Sequence, residues 1–254
     1  GKLTGEKVTV SNVATVGLRV KGGTAELHGL TVEDAGGDGV WIDNGKATVY
    51  DLVVKKAGAA GVSATNTADI TVIGASIQNT EKHSAKSLDK AKVTLNGVSI
   101  TMPLKNNYHG VLAEGGDVHL DDVKITGVPS NTEGDGLRIN RESSHVTGKN
   151  VAVSNVEEGI SSTAGTADIY GVTMEGNQYN ISIDGGNIQL LDSDLGATVS
   201  NNVRVNQGGV LDLQNVVVKG HVPDHPDNVH ALFVDNGKLT GEKVTVSNVA
   251  TVGL

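Results

Sequence analysis

The segment His221-Val-Pro-Asp-His-Pro-Asp-Asn-Val-His230 gathers three His and two Asp within ten residues. Imidazoles and carboxylates at that density could ligate a transition metal. Pro223 and Pro226 stiffen the segment, but no surrounding pattern fixes ligand geometry or supplies an outer shell, so the reading is a solvated loop and no metal site. Its imidazoles gain charge below about pH 6.5. The chain has no cysteine, which removes thiolate nucleophiles, disulfides and Cys-based zinc sites at once. Serines and histidines occur without a spacing that would identify a catalytic triad. A second polar segment, Asn131-Thr-Glu-Gly-Asp-Gly136, runs directly into Leu137-Arg138-Ile139, with Asp121-Asp122 one strand earlier and His109 within Tyr108-His-Gly110.

The elements that must position these groups are legible in composition and repetition. Of 254 residues, 34 are Gly and 4 are Pro, aromatic residues are 2% and apolar residues 37%. A core must therefore be built from Val, Ile, Leu and Ala. A formal charge of -9 argues against a nucleic-acid or anionic-membrane partner. No stretch approaches the roughly 18 to 20 apolar residues of a membrane helix, so the segment is not expected to insert into a bilayer.

Self-similarity exists at two scales. Gly1 to Leu18 recurs unchanged as Gly237 to Leu254, a period of 236 residues (237 minus 1). Either the natural protein repeats at that period or the chain was assembled with overlapping ends. At the shorter scale GTAELHGLTVE (23–33) returns as GTADIYGVTME (165–175), and LTGEKVTVSNV (3–13) as VTGKNVAVSNV (146–156). Cutting where the motifs restart gives ten units, averaging about 23.6 residues.

Each unit carries two apolar residues at alternate positions, a break, two more, a variable polar stretch, and then Gly or Asn followed by apolar-x-apolar. Unit three shows it with Ala47, Val49, Leu52, Val54 and Gly61-Val62-Ser63-Ala64. Alternation at period two means half-buried strands. Three short strands per unit predict an all-β, right-handed parallel β-helix of about ten to eleven coils spanning 1–254 as a single segment. At about 4.8 Å per coil, ten coils make a rod about 48 Å long. A β-sandwich would need similar strands but would not repeat at this period. The expected interior ladders are Leu27, Val49, Ile70, Val93, Val118 and Val40, Val62, Val111, Leu137, Ile160, Ile181, Val203. Neither end reads as a polar cap, which fits a segment of a longer rod.

On the third strand the residue between two buried ones should face outward: Arg19, Trp41, Ser63, Leu112, Arg138, Ser161, Ser182, Arg204 and Phe233. The only Trp and the only Phe of the chain lie in this column with three Arg. Aromatic and Arg side chains dominate interface energetics, so Arg19, Trp41, Arg138, Arg204 and Phe233 form a first candidate binding face. Extra length falls at 79–88, 101–110, 126–136 and 219–231, each before a third strand and so along one side of the rod. All four prolines, Pro103, Pro129, Pro223 and Pro226, lie there. This ridge is a second candidate surface, with Asn106, Tyr108, His109, Asn131, Glu133, Asp135, His221, Asp224 and His225 as its polar residues.

Gly-rich, Cys-free coils with Gly-apolar-x-apolar strands and Gly-Gly or Asn-Gly turns resemble the passenger domains of bacterial autotransporters, of the pertactin and self-associating adhesin type. The resemblance covers essentially the whole chain. It implies a secreted or surface-displayed rod outside a Gram-negative outer membrane, with adhesion, self-association or biofilm formation as its role. The implied partners are a second rod, or a host surface glycan or matrix protein. No cofactor and no catalytic residue is expected. The chain shows no signal peptide, membrane barrel or folding-core segment of that family. Pectin-degrading enzymes share the same coil and provide the alternative. Polygalacturonase-like enzymes present carboxylates in Asn-Thr-Asp and Asp-Asp motifs, a Gly-His-Gly and an Arg-Ile-Lys. The segment 131–139 resembles part of that set, but the Gly-His-Gly is missing and the order differs. A passive stalk carrying another domain is the third reading.

Two weaker motifs are set aside. Gly36-Gly-Asp-Gly-Val-Trp-Ile-Asp43 resembles one calcium-binding nonapeptide but does not recur in tandem. Asn180-Ile-Ser182 is a lone sequon on an expected strand.

Overall fold

A computed structural model describes residues 1–102, 108–128, 133–220 and 230–249. The chain winds into a parallel β-solenoid of two sheets, one of 13 strands and one of 10. Each coil contributes one long strand, such as Thr24–Val32, Lys46–Val54 or Asp117–Thr126, and one short strand, such as Val40–Asp43, Val62–Thr65 or Leu137–Asn140. Every pairing between successive strands is parallel.

The three strands per coil expected from sequence resolve into this pair because the first two are halves of one bent strand. Within Thr24–Val32 the buried residues are Ala25 and Leu27, then Leu30 and Val32. The alternation slips by one residue at the bend, where the backbone is left-handed: Gly29 has φ 73, Asp51 has φ 52 and Asp122 has φ 54. That residue turns the second half of the strand so that both halves face one interior. In two coils the halves separate, as Thr166–Tyr170 and Thr173–Glu175 around Gly171, and Lys238–Glu242 and Thr245–Ser247 around Lys243.

The core is a set of aliphatic ladders with almost no aromatic content. One expected ladder needs correction. Leu27 and Val49 continue to Val72, Leu95 and Leu120, whereas Ile70, Val93 and Val118 continue from Ala25 and Ala47. The sequence reading slipped by two residues, an error that alternation cannot detect, because a shift of two keeps every side chain on its own face. The short-strand ladder holds and gains Ala85 between Val62 and Val111. Where Gly precedes a short strand it is required by close approach: a Cβ at Gly39 would lie 2.7 Å from the Gly61 carbonyl oxygen.

Buried polar groups are absorbed by ladders of their own. Asn177 Nδ2 donates to Asn180 Oδ1 (2.8 Å), and Asn180 Nδ2 donates to Asn202 Oδ1 (3.0 Å) and the Gly196 carbonyl (2.7 Å). Asn180 is fully buried, so the sequon is structural and closed to modification in the folded chain. The bend supplies a stability test. Replacing Asp122 by Val should cost about 1–2 kcal/mol, because a β-branched residue resists left-handed φ, whereas Asp122→Gly should be near neutral. Urea unfolding midpoints of the two variants check this.

Candidate functional site

The outward column of the short-strand sheet is fixed by pairing: Arg19 beside Trp41, then Ser63, Lys86, Leu112, Arg138, Ser161, Ser182, Arg204 and Phe233. Lys86 belongs to it and was missed in the sequence because its strand, Ala85–Leu88, has the small Ala85 where the pattern expects a larger aliphatic residue. One expectation fails: Ser63, Leu112, Ser161 and Ser182 are buried. The column is the floor of a groove, and its long side chains fold over the short ones. Arg204 lies over the Tyr179 ring at 4.7 Å and Arg19 over Trp41 at 4.1 Å. Trp41 Nε1 donates to Thr65 Oγ1 at 3.0 Å, and Phe233 stacks on His230 at 5.7 Å.

One wall of the groove comes from the residues two positions before Ala85, Val111 and Leu137, and from Glu158, which opens the strand Glu158–Ser162. The N–H groups of Gly61, Ser84, Gly110 and Gly136 donate to the carbonyls of His83, His109, Asp135 and Glu158 of the following coil. These four residues therefore form a second column alongside the Arg column. Tyr108, His109, Glu133 and Asp135 of the expected loop ridge are described, and the structure brings His109 and Asp135 to the same groove as Arg138. Two candidate surfaces thus become one where they meet. Asn106, Asn131, His221, Asp224 and His225, and all four prolines, lie outside the described residues. Asp121 and Asp122 sit on the other sheet and do not line the groove. Among the described residues no group of His and carboxylates could hold a metal ion.

At the meeting point lies a cleft of about 330 Å³ lined by His109, Asp135, Arg138, Asn140, Glu157, Glu158 and Asp184 among others. Arg138 Nη1 is 3.3 Å from Asp135 Oδ2 and 3.7 Å from Glu158 Oε2, and Arg204 Nη2 is 3.1 Å from Glu158 Oε1. Arg138 Nε donates to Asn140 Oδ1 at 2.9 Å. Arg204 Nε is buried without a partner among the described residues. A larger cleft of about 480 Å³ lies against the other sheet around Met174, Ala152 and Ala197, but it lacks such a convergence of shifted groups.

The electrostatics follow from burial. Asp135 is raised from 3.8 to about 7, first by burial and then by the neighbouring Glu158 charge, with Arg138 opposing. Glu157 is also raised, by burial first. His109 is lowered to about 3 by burial and then by His83 and Arg138. His83 is lowered to about 4 by burial and then by Lys86 and Lys82. The imidazoles stack at 5.1 Å, and each Nδ1 accepts a backbone N–H: His83 from His109 at 3.1 Å, His109 from Asp135 at 3.3 Å. Both rings are held neutral, so the cleft combines carboxyls in excess of cations with one carboxyl that keeps its proton to near pH 7. Such a site can donate and accept hydrogen bonds to hydroxyl-rich groups and repels polyanions.

Fold and cleft together define a parallel β-helix with a charged groove on its narrower sheet. A family model described as right handed beta helix region matches residues 1–204, and the chain belongs to that family. No curated protein and no solved structure matches the chain.

The linkage at Asp135 has a definite sign. Unfolded, the carboxyl loses its proton near 3.8; folded, near 7. Its contribution to stability is therefore present below about pH 4 and withdrawn as pH rises through 7. The buried histidines act oppositely, losing stability as pH falls below 6.5. Asp135→Asn should gain stability relative to the parent at pH 8 more than at pH 5, read from urea midpoints. An equal difference at both pH values would refute the buried-acid assignment.

Proposed function

We propose that this chain is a segment of a β-helix adhesin, of the autotransporter passenger type, displayed outside a bacterial cell, and that the short-strand groove binds an extended, hydroxyl-rich polymer such as a neutral host surface glycan. The observation that carries this reading is the groove itself. It is a row of Arg19, Trp41, Lys86, Arg138, Arg204 and Phe233, interrupted by the buried Ser63, Leu112, Ser161 and Ser182 and walled over its middle coils by His83, His109, Asp135 and Glu158. A linear row of repeating donors and acceptors suits a linear ligand, with many weak contacts summing to useful avidity. The acid excess favours neutral over acidic sugars, and Trp41 offers a stacking face.

Titration calorimetry and surface binding against neutral and acidic oligosaccharides test this. Neutral glycans should bind, and Arg138→Ala and Trp41→Ala should each weaken them about tenfold. Binding confined to acidic glycans, or none, would sink the proposal and leave a passive stalk.

A second reading has one specific observation behind it. Asp135, protonated to about pH 7 beside Glu158 and Arg138, has the character of a general acid paired with a second carboxyl group, the pair needed for glycosidic hydrolysis. On this reading reducing ends appear from a neutral polysaccharide, and Asp135→Asn lowers that rate by about 100-fold or more with substrate binding retained. Absence of reducing ends from the parent chain across such substrates excludes it.

A further inference from the structure

The segment repeated at the two ends occupies both ends of the rod, and the two copies see opposite neighbours. Lys2–Val10 pairs on one side with Thr24–Val32, placing Leu3 beside Ala25, Val8 beside Leu30 and Val10 beside Val32. The identical residues Lys238–Glu242 and Thr245–Ser247 pair on their other side with Val210–Lys219, placing Leu239 beside Leu211 and Val246 beside Val218. The backbone is the same in both settings: Lys7 and Lys243 have φ 51 and 55, and Asn12 and Asn248 have φ 53 and 57. One coil thus has two faces, each with its complementary surface already present in this chain.

The parity agrees across the two registers. Taken as a single coil, Leu3 (identical to Leu239) stands between Leu211 and Ala25, and Val10 (identical to Val246) between Val218 and Val32, each continuing a buried ladder without a slip. Of the exposed large apolar residues, Tyr170 and Val199 lie in middle coils, and Leu3 and Val234 lie at these same ends. Leu3 is 45% exposed at one end and Val234 is 45% exposed at the other, although Val234 continues the buried ladder of Val205. A following coil that begins Lys2–Val10 is the surface that would cover Val234, since that coil's short strand, Leu18–Lys21, falls next after Leu232–Asp235 at the spacing of 22 residues between Leu18 and Val40.

We infer that the 236-residue unit (237 minus 1) is built to stack head to tail on a second copy of itself, and that the junction completes a binding element absent from either copy alone. In register, Arg19 of the following copy falls between Phe233 of the preceding copy and its own Trp41. The Arg19 guanidinium already lies 4.1 Å from the Trp41 ring and has no covering ring on its other side, while Phe233 ends the preceding column. The junction would make an aromatic–Arg–aromatic stack once per unit, at regular intervals along the groove. The chemistry that recognises the partner is edge-strand hydrogen bonding with matched apolar ladders, and the partner is a second copy of this chain.

The test extends the full 254-residue chain directly with a second copy of residues 19–254. Small-angle scattering should give one straight rod, longer by about 48 Å for ten added coils at about 4.8 Å each. Amide exchange in 238–249 should slow at least tenfold relative to the unextended chain, where that coil is terminal. Leu239→Asp, at a ladder position that is only partly buried in the unextended chain, should leave that chain folded but abolish the added protection in the extended one. Two rods joined by a bend, with 238–249 still exchanging at the terminal rate, would overturn the inference whatever the groove binds.

Discussion

Everything in this molecule depends on the parallel backbone ladder that ties each residue to its counterpart one coil later. Strands such as Val111–Glu114 and Leu137–Asn140 share all of their pairings in strict order, so a side chain's neighbours are set by its place in the coil. That constraint converts a one-dimensional spacing into columns. It also organises the packing: interior columns stack aliphatic side chains at about 4.8 Å, and the same spacing lets His28 and Tyr50 stack outside the core at 4.4 Å. The Asn177, Asn180 and Asn202 ladder shows the same rule applied to amides, each satisfying the next.

The groove arises where the columns carry different chemistry. The interior columns are mainly apolar, with polar members such as Ser87 and Ser162 bonded to backbone carbonyls, but the outward column of the short sheet is free to hold Arg and Lys, and the adjacent column holds His and carboxylates. Because the coil brings these columns within 3 to 4 Å of each other, acids outnumber the cations beside them in a sheltered cleft. Burial then acts in the same direction on every group, favouring the neutral form: Asp135 keeps its proton, and His83 and His109 stay without one. The cleft therefore combines an excess of carboxyls with groups held neutral by burial.

Stacked repeats have an inherent difficulty at their ends, where a ladder stops with its donors, acceptors and apolar residues uncovered. Here the same coil stands at both ends and meets a fitting neighbour in each place, so the ends are complementary to one another. On the inference that units stack head to tail, each added unit would contribute ten coils and another stretch of the Arg and aromatic column.

The sequence by itself determined the architecture. Alternating pairs, a break, and a Gly or Asn before most apolar-x-apolar strands specify coils, because steric and hydrophobic requirements repeat with similar spacing in every unit. It also placed Trp41, Arg138, Arg204 and Phe233 in one column. It did not determine the register of the Leu27 ladder, since a two-residue slip preserves every inside and outside assignment, nor the membership of Lys86, whose strand opens with a small Ala85. Above all it could not unite His109, Asp135 and Arg138, which the sequence assigned to two separate surfaces. Their meeting depends on the loop before each short strand entering along the edge of the outward column, and that path is decided by contacts between coils. Tertiary structure alone decided that Ser63 and Ser182 are covered, that Asp135 is protonated near neutrality and that the groove is sheltered, because burial is a property of what neighbouring coils lay over a residue.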